Sequence, residues 1–312
     1  MKSGKKIDYE VRPNKFVERR MILASLARII GAMKKDYQYI GFGAYTFVDF
    51  KLFHRELQIT RMYSIEGGAN ISKRKILINK PFSCINMIYK KSTDALLDLD
   101  NNLEVPSIIW LDYDGALDKY MFIDIEIILK KIPTGSVFIM SCNKQLKKDG
   151  TSIYTNEEFR DEFGDLVPMD VAEHCCNDDN DHLTIQKMLS QKIQSTLEER
   201  KKNSGNKYIF EQLYNFLYKD GAKMYTYGGI LLEDGENIER LHLEDFDFIN
   251  TATPYKIDVP QLTTNEEICL NKALFDDVKE KVLVKSGVVT EKEIEKYKKV
   301  YKYMASFHDV RM

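Results

Sequence analysis

Apolar positions recur at two spacings along this chain, and the alternation between them predicts the fold. Phe16, Ile22, Leu23, Leu26, Ile29, Ile30 and Met33 fall three to four residues apart, which predicts an amphipathic helix. Arg12-Pro13-Asn14 marks its start, with Asn14 as the cap. Lys15, Arg19, Arg20 and Arg28 occupy other faces, so the helix reads as basic and solvated, or as a lid or substrate-side helix lying over the sheet. Tyr37 to Phe42 reads as a first strand running into Gly41-Phe42-Gly43. A helix with Phe47, Phe50, Phe53 and Leu57 on one face follows. Ile59 to Ile65 reads as a second strand ending at Glu66, Phe82 to Tyr89 as a third, and Ser107 to Leu111 as a short apolar fourth closing in Asp112-Tyr113-Asp114-Gly115. A helix over 120–130 and a turn at Pro133-Thr134-Gly135 lead into a fifth strand, Ser136 to Met140. Strands alternating with helices across short links predict an α/β fold with a Rossmann-like, mostly parallel sheet and flanking helices.

The later chain is more polar. Ten acidic residues and one arginine lie between Glu157 and Asp181, which reads as an irregular, solvated insertion. Lys187 to Lys202 reads as a polar helix, Tyr208 to Tyr218 as a helix with an aromatic face, and Met224 to Leu232 as a late strand or hairpin. Residues 265–312 read as charged helices broken at Gly287. The expected organisation is an N-terminal amphipathic helix over 1–36 and a Rossmann-like domain over 37–260 with an acidic insertion near 150–200. A helical C-terminal extension over 261–312 completes it.

Composition narrows the function classes. The 312 residues are 44% hydrophobic and 30% charged, enough for a large core with a well-solvated surface. A net charge of −2 gives no global electrostatic reason to expect nucleic-acid binding. The ten basic and three acidic residues of positions 1–35 lean faintly toward an anionic acceptor. No run reaches the length of a membrane helix and no signal peptide is expected. Cys84, Cys142, Cys175, Cys176 and Cys269 form neither a disulfide framework nor a zinc pattern, which fits a reducing cytoplasm. A metal site from His174, Cys175, Cys176 and the aspartates nearby is discounted, because adjacent cysteines point apart in most backbones.

Two constellations carry candidate chemistry. The first is Gly41, Phe42 and Gly43 followed by Glu66. A strand turning sharply into a helix favours glycine, the helix start offers free N–H groups, and an acidic residue about twenty positions on can accept both ribose hydroxyls. The third glycine of the dinucleotide fingerprint is absent; Tyr45 and Thr46 stand there. The second is Asp112 and Asp114, two carboxylates at the C-terminal end of a buried strand, where open α/β sheets bind ligands. Such groups serve as a general base, orient an amine or hold a divalent cation. Ser141-Cys142-Asn143 ends the fifth strand at the same rim.

This order of features resembles class I S-adenosylmethionine-dependent methyltransferases over residues 35–145. It also resembles bacterial O-methyltransferase-like chains that begin with an Arg-Pro-Asn-Lys helix, here Arg12 to Lys15. The resemblance implies S-adenosylmethionine as cofactor. Gly41 to Gly43 would lie at its methionine part, Glu66 at the ribose, and Asp112 to Gly115 would face the transferring methyl group, with Asp112 also touching the cofactor and Asp112 or Asp114 acting as base or orienting the nucleophile. Two departures stand out: Tyr39 occupies the position where the superfamily places an acidic residue, and the loop lacks its third glycine. The acceptor stays open among a small molecule, a nucleotide, a protein and a nucleic acid, with a small or nucleotide-like molecule as the expectation and nucleic acid not indicated by net charge; the charged C-terminal region offers a surface for a protein partner. Two rival readings remain. Asp112-Tyr113-Asp114-Gly115 is similar to the nucleophile loop of haloacid-dehalogenase-type phosphohydrolases, and the incomplete glycine loop also fits a non-catalytic Rossmann-like binding module.

Overall fold

The computed structural model describes residues 12–68, 72–148, 151–171 and 174–305. The chain begins with α1 (Pro13–Met33), β1 (Gln38–Gly41), α2 (Val48–Leu57), β2 (Arg61–Ile65), α3 (Lys73–Asn79) and β3 (Ile85–Ile88). It continues through α4 (Ser92–Asp98), β4 (Ser107–Ala116), α5 (Lys119–Lys131) and β5 (Val137–Asn143). A small ladder of β6 (Lys147–Lys148) and β7 (Ser152–Ile153) precedes α6 (Asn156–Phe163) and α7 (Asp181–Ser204). Then come β8 (Tyr208–Asp220), β9 (Ala222–Glu233), β10 (Tyr255–Lys256), α8 (Thr264–Ala273), α9 (Asp277–Lys285) and α10 (Glu291–Val300).

Eight strands form one sheet in the order β10-β8-β9-β5-β4-β1-β2-β3. From β3 to β5 the pairings are parallel; β9 enters antiparallel between β5 and β8. The mostly parallel, Rossmann-like sheet expected from the alternation is therefore present. Alternate residues of each strand feed two separate cores. Tyr39, Ile108, Trp110, Val137 and Ile139 pack against α1 and α2 on one face. Ile40, Ile109, Leu111, Phe138 and Met140 pack against α4, α5 and α7 on the other. The chain leaves β1 toward β2 and β3, then returns to place β4 on the opposite side of β1. The carboxyl ends of β1 and β4 thus flank the point where strand order reverses, the position at which open α/β sheets form a ligand crevice.

Several elements differ from expectation. Tyr208 to Tyr218 is strand rather than helix. Position 14 does not cap α1: Arg12 is the N-cap, without a side-chain bond, and Pro13 begins the helix. The acidic stretch is not merely irregular, since α6 buries Phe159 and Phe163, and Cys175 and Cys176 are buried too. Gly287 does break the C-terminal helices, with a φ of 74° between α9 and α10. Among the described residues no helix is long and apolar enough to cross a membrane.

Candidate active site at the carboxyl ends of β1, β2 and β4

The glycine loop is shaped first by packing. A Cβ on Gly43 would lie 2.6 Å from both the Phe47 ring and Ser64 Oγ, and one on Gly41 would collide with the Tyr39 hydroxyl. Gly41 and Gly43 are thus needed for the turn to close on itself. Phe42, half-buried between them, meets Tyr113 edge-to-face at 5.2 Å. Ala44 and Phe47 both take left-handed backbone, φ 49°, which costs a residue with a Cβ about 1–2 kcal/mol. A glycine would take this backbone without strain, but alanine and phenylalanine stand there, and such strain gathers at functional sites.

Glu66, at the end of β2, holds this loop in place. Its Oε1 accepts the N–H of Gly43 at 2.9 Å, that of Ala44 at 3.0 Å and the Ser64 hydroxyl at 2.9 Å. Burial pushes its carboxyl up to about 7, against the lowering effect of these three bonds. A carboxylate has roughly four acceptor positions, so the second oxygen keeps capacity for a ligand. Glu66, Gly67, Lys73, Tyr89 and Lys90 line a cleft at the ends of β2 and β3. The Tyr89 hydroxyl, buried and without a hydrogen-bond partner among the described residues, lies there within the electrostatic reach of Glu66. Glycine at 67 lets the backbone come close, because a Cβ would sit 2.7 Å from the Lys90 carbonyl.

The two aspartates of β4 lie in different surroundings. The strand runs on through Ala116, with an irregularity in its pairing to β5 beyond Asp112. Asp114 is exposed. The Asp112 side chain keeps only 11% exposure and is ion-paired with Lys15 at 2.9 Å. Lys15 is fully buried, 2.7 Å from Glu18, and donates to the Tyr218 hydroxyl at 3.1 Å. The chain of contacts continues inward: Thr226 donates to Glu18, Ser141 and Thr226 hydroxyls are 2.7 Å apart, and Trp110 Nε1 donates to Ser141 at 3.0 Å. Burial opposes charge on Asp112, yet Lys15, Arg19 and Arg12 outweigh it and hold the carboxyl below its usual range. Burial pushes Glu18 the other way, upward.

Lys15 and Arg19 are thus not on a solvated basic face. Arg19 pairs with buried Asp49 at 2.5 Å, and the faint lean toward an anionic acceptor loses these two charges. Sequence reasoning missed Lys15, Glu18, Tyr218 and Thr226. The signal was present: positions 15, 18, 22, 26 and 29 form one helical stripe, and opposite charges within an apolar stripe indicate a buried pair. The adjacent cysteines also depart from expectation, with the sulfurs of Cys175 and Cys176 only 3.6 Å apart. Among the described residues no group of three or more His, Cys, Asp or Glu side chains is arranged to hold a metal.

A mostly parallel sheet with a glycine turn and an acidic strand end beside its switch point defines a Rossmann-like fold with a cleft where such sheets bind ligands. The chain belongs to the family described as "Putative O-methyltransferase", whose model matches residues 7–312. No curated protein matches it. Among solved structures it is similar to spermidine synthase from Thermotoga maritima, at 11% identity over 77% of this chain and 68% of that one, TM-score 0.41. It is also similar to precorrin-6y C5,15-methyltransferase from Geobacter metallireducens, at 10% identity over 65% and 85%, TM-score 0.33. A third similar structure is human N-acetylserotonin methyltransferase in complex with S-adenosylmethionine, at 11% identity over 68% and 51%, TM-score 0.33.

Proposed function

We propose that this protein is an S-adenosylmethionine-dependent methyltransferase acting on a hydroxyl or amine of a small or nucleotide-like acceptor. The observation that carries the reading is Glu66, a nearly buried carboxylate at the end of β2 that closes the glycine loop and borders a cleft. S-adenosylmethionine, when bound, supplies the sulfonium methyl group. Glu66 would accept the ribose hydroxyls through its second oxygen, and Gly41 to Gly43 would border the methionine part. Asp112, at the end of β4, would orient the acceptor. Catalysis in such a site comes mainly from holding the two reacting atoms in line. A cytoplasmic setting belongs to the same proposal. Family membership favours this reading over phosphoryl transfer at Asp112.

The test is calorimetric titration of the full-length protein with S-adenosylmethionine and S-adenosylhomocysteine, alongside Glu66→Ala. Micromolar binding that Glu66→Ala weakens at least about tenfold, or 1.4 kcal/mol, supports the cofactor and its site. No heat and no thermal shift with either ligand overturns the reading in favour of a binding module of another kind.

A further inference from the structure

The segment Arg12-Pro13-Asn14-Lys15 does more than start a helix. Pro13 occupies the first helical position, where its missing N–H costs nothing. The Asn14 side chain donates to the Lys219 carbonyl and to Asp220 Oδ1, both at 3.0 Å, and accepts the Val259 N–H at 2.7 Å. Asp220 in turn accepts the backbone N–H groups of Asn14 at 3.3 Å and Lys15 at 2.8 Å. It thereby takes two of the donors that a helix start leaves open. The start of α1 is thus clamped to the β8–β9 turn and to the chain at 259. From that fixed point the Lys15 stem passes over the Trp110 ring, its Nζ 4.5 Å from the centroid. A buried ammonium requires partners for all three N–H groups. Asp112, Glu18 and the Tyr218 hydroxyl are three partners within 3.1 Å. Only Asp112 among these acids reaches the rim, since Glu18 is fully buried.

We propose that Lys15 is the positioning residue for Asp112, holding its carboxylate charged and fixed at the carboxyl end of β4, where the acceptor would sit, so that the acceptor is a neutral, proton-bearing hydroxyl or amine rather than an anion. This rests on the methyltransferase reading. In the transfer, the acceptor oxygen or nitrogen forms a bond to the methyl carbon while the carbon–sulfur bond breaks, its electron pair staying on sulfur. The acceptor's proton, first hydrogen-bonded to Asp112, leaves to water at the rim. A carboxylate held this strongly acidic orients its partner and retains the proton poorly. The charged and titratable groups around Asp112 are Lys15, Glu18, Arg19 and Arg12 from α1 and its start, Tyr39 from β1, Cys142 from β5 and Tyr218 from β8.

The experiment is carboxyl NMR on full-length protein labelled with 13C-aspartate, the Asp112 signal being assigned by its loss in Asp112→Asn. In the wild type this signal should stay that of a carboxylate to lower pH than a typical aspartate. Lys15→Met should raise its midpoint by about one pH unit or more, and Lys15→Arg should recover part of that shift. Should Lys15→Met fail to fold, Lys15→Met/Glu18→Gln removes the buried charge pair as a unit and should show the same rise. An unchanged midpoint in the folded variant overturns the positioning role. With S-adenosylhomocysteine present, phenol should perturb the Asp112 signal and benzoate should not; the reverse order, or no response to phenol, overturns the acceptor class. Calorimetry with S-adenosylmethionine on the same samples separates the two ideas. Absence of binding to the wild type would sink the methyltransferase reading alone, whereas binding kept within about twofold in the Lys15 variants, under a third of the free energy of a tenfold change, locates the effect on the acceptor side.

Discussion

Glu66 braces the glycine loop and, under the proposed function, would also meet a ligand, and its burial makes both depend on pH. The carboxyl is pushed up to about 7 from its ordinary value near 4.5. Ribose hydroxyls donate to the charged form, so binding should release a proton below that midpoint. Affinity for S-adenosylmethionine is expected to rise roughly tenfold per unit between pH 5.5 and 7, then level off. Calorimetry in two buffers of different ionisation heat checks this, and a flat profile removes Glu66 from the ligand site. The sign for stability is opposite. An acid whose folded value lies above its unfolded one stabilises the fold at low pH, and that contribution is lost as pH rises through about 7. Glu66→Gln keeps an acceptor oxygen for the Gly43 and Ala44 N–H groups but cannot charge. Its melting temperature relative to wild type should therefore be higher at pH 8 than at pH 5. Gly43→Ala is a second test at this scale: the new Cβ meets the Phe47 ring and Ser64 Oγ at 2.6 Å, and thermal unfolding should show a loss of about 1–3 kcal/mol. The glycine turn and Glu66 were legible in the sequence because their chemistry is local, a turn and an acid one helix and one strand apart. The network behind Asp112 was not, because Lys15 comes from α1 and Tyr218 and Thr226 from the β8–β9 hairpin, far from Asp112 in the chain on either side, and only folding brings them together.

At the scale of elements, the misread strand is the informative one. β8 carries apolar and aromatic residues almost without interruption from Leu213 to Tyr218, and it lies between β9 and β10 with residues 213–216 all buried. A strand covered on both faces loses the alternation that marks a half-exposed one, and Tyr, Phe and Leu at mixed spacings then imitate a helical face. The neighbouring glycines hold the true signal. Gly228 and Gly229 face the register shift between Gln212 and Tyr214, and a Cβ on Gly229 would collide with the Glu211 carbonyl. Gly229→Ala is accordingly expected to destabilise by about 1–3 kcal/mol or more, read by chemical denaturation, whereas Gly221→Ala is a different case. There no atom lies within 4 Å of the new Cβ, but φ is +100°, so its cost is backbone strain at the hairpin tip rather than lost strand pairing. The same hairpin tip supplies Asp220 to the start of α1. Asp220→Ala leaves those N–H groups without their acceptor and should cost about 1–2 kcal/mol. Because α1 carries Lys15, that variant should also perturb the Asp112 carboxyl signal; a stability loss with no change there would mean α1 keeps its seat without the clamp.

Over the whole molecule, stability should be graded away from the sheet. β4, β1 and β5 sit between two cores, with α1 and α2 covering one face and α4, α5 and α7 the other. The C-terminal helices share a small core of their own around Leu270, Val289, Ile294 and Tyr297. They are joined to the sheet by Val300 in the core on the α1–α2 face, by the Tyr255 hydroxyl donating to the Lys299 carbonyl at 2.9 Å, and by the Lys296–Asp258 pair at 2.9 Å. α9 buries none of its residues and exposes 73% of Val278 and 58% of Val282. Local opening free energies follow buried apolar contact, so amide exchange should rank these elements: fast in α9, intermediate in α8 and α10, slowest in β4 and β5. The acidic stretch before α7, read from composition as solvated, should exchange more slowly than α9 despite its charge, because Phe159, Phe163 and Cys175 anchor it in the core. Net charge over a window reports the surface of an element and says little of the few side chains that hold it down. If α9 instead exchanged as slowly as β4, its exposed valines would have to be covered in solution, and the C-terminal region would be an interface rather than a loosely held edge. A concentration series in the same exchange experiment separates those cases, since cover by a second copy fades on dilution and cover within one chain does not.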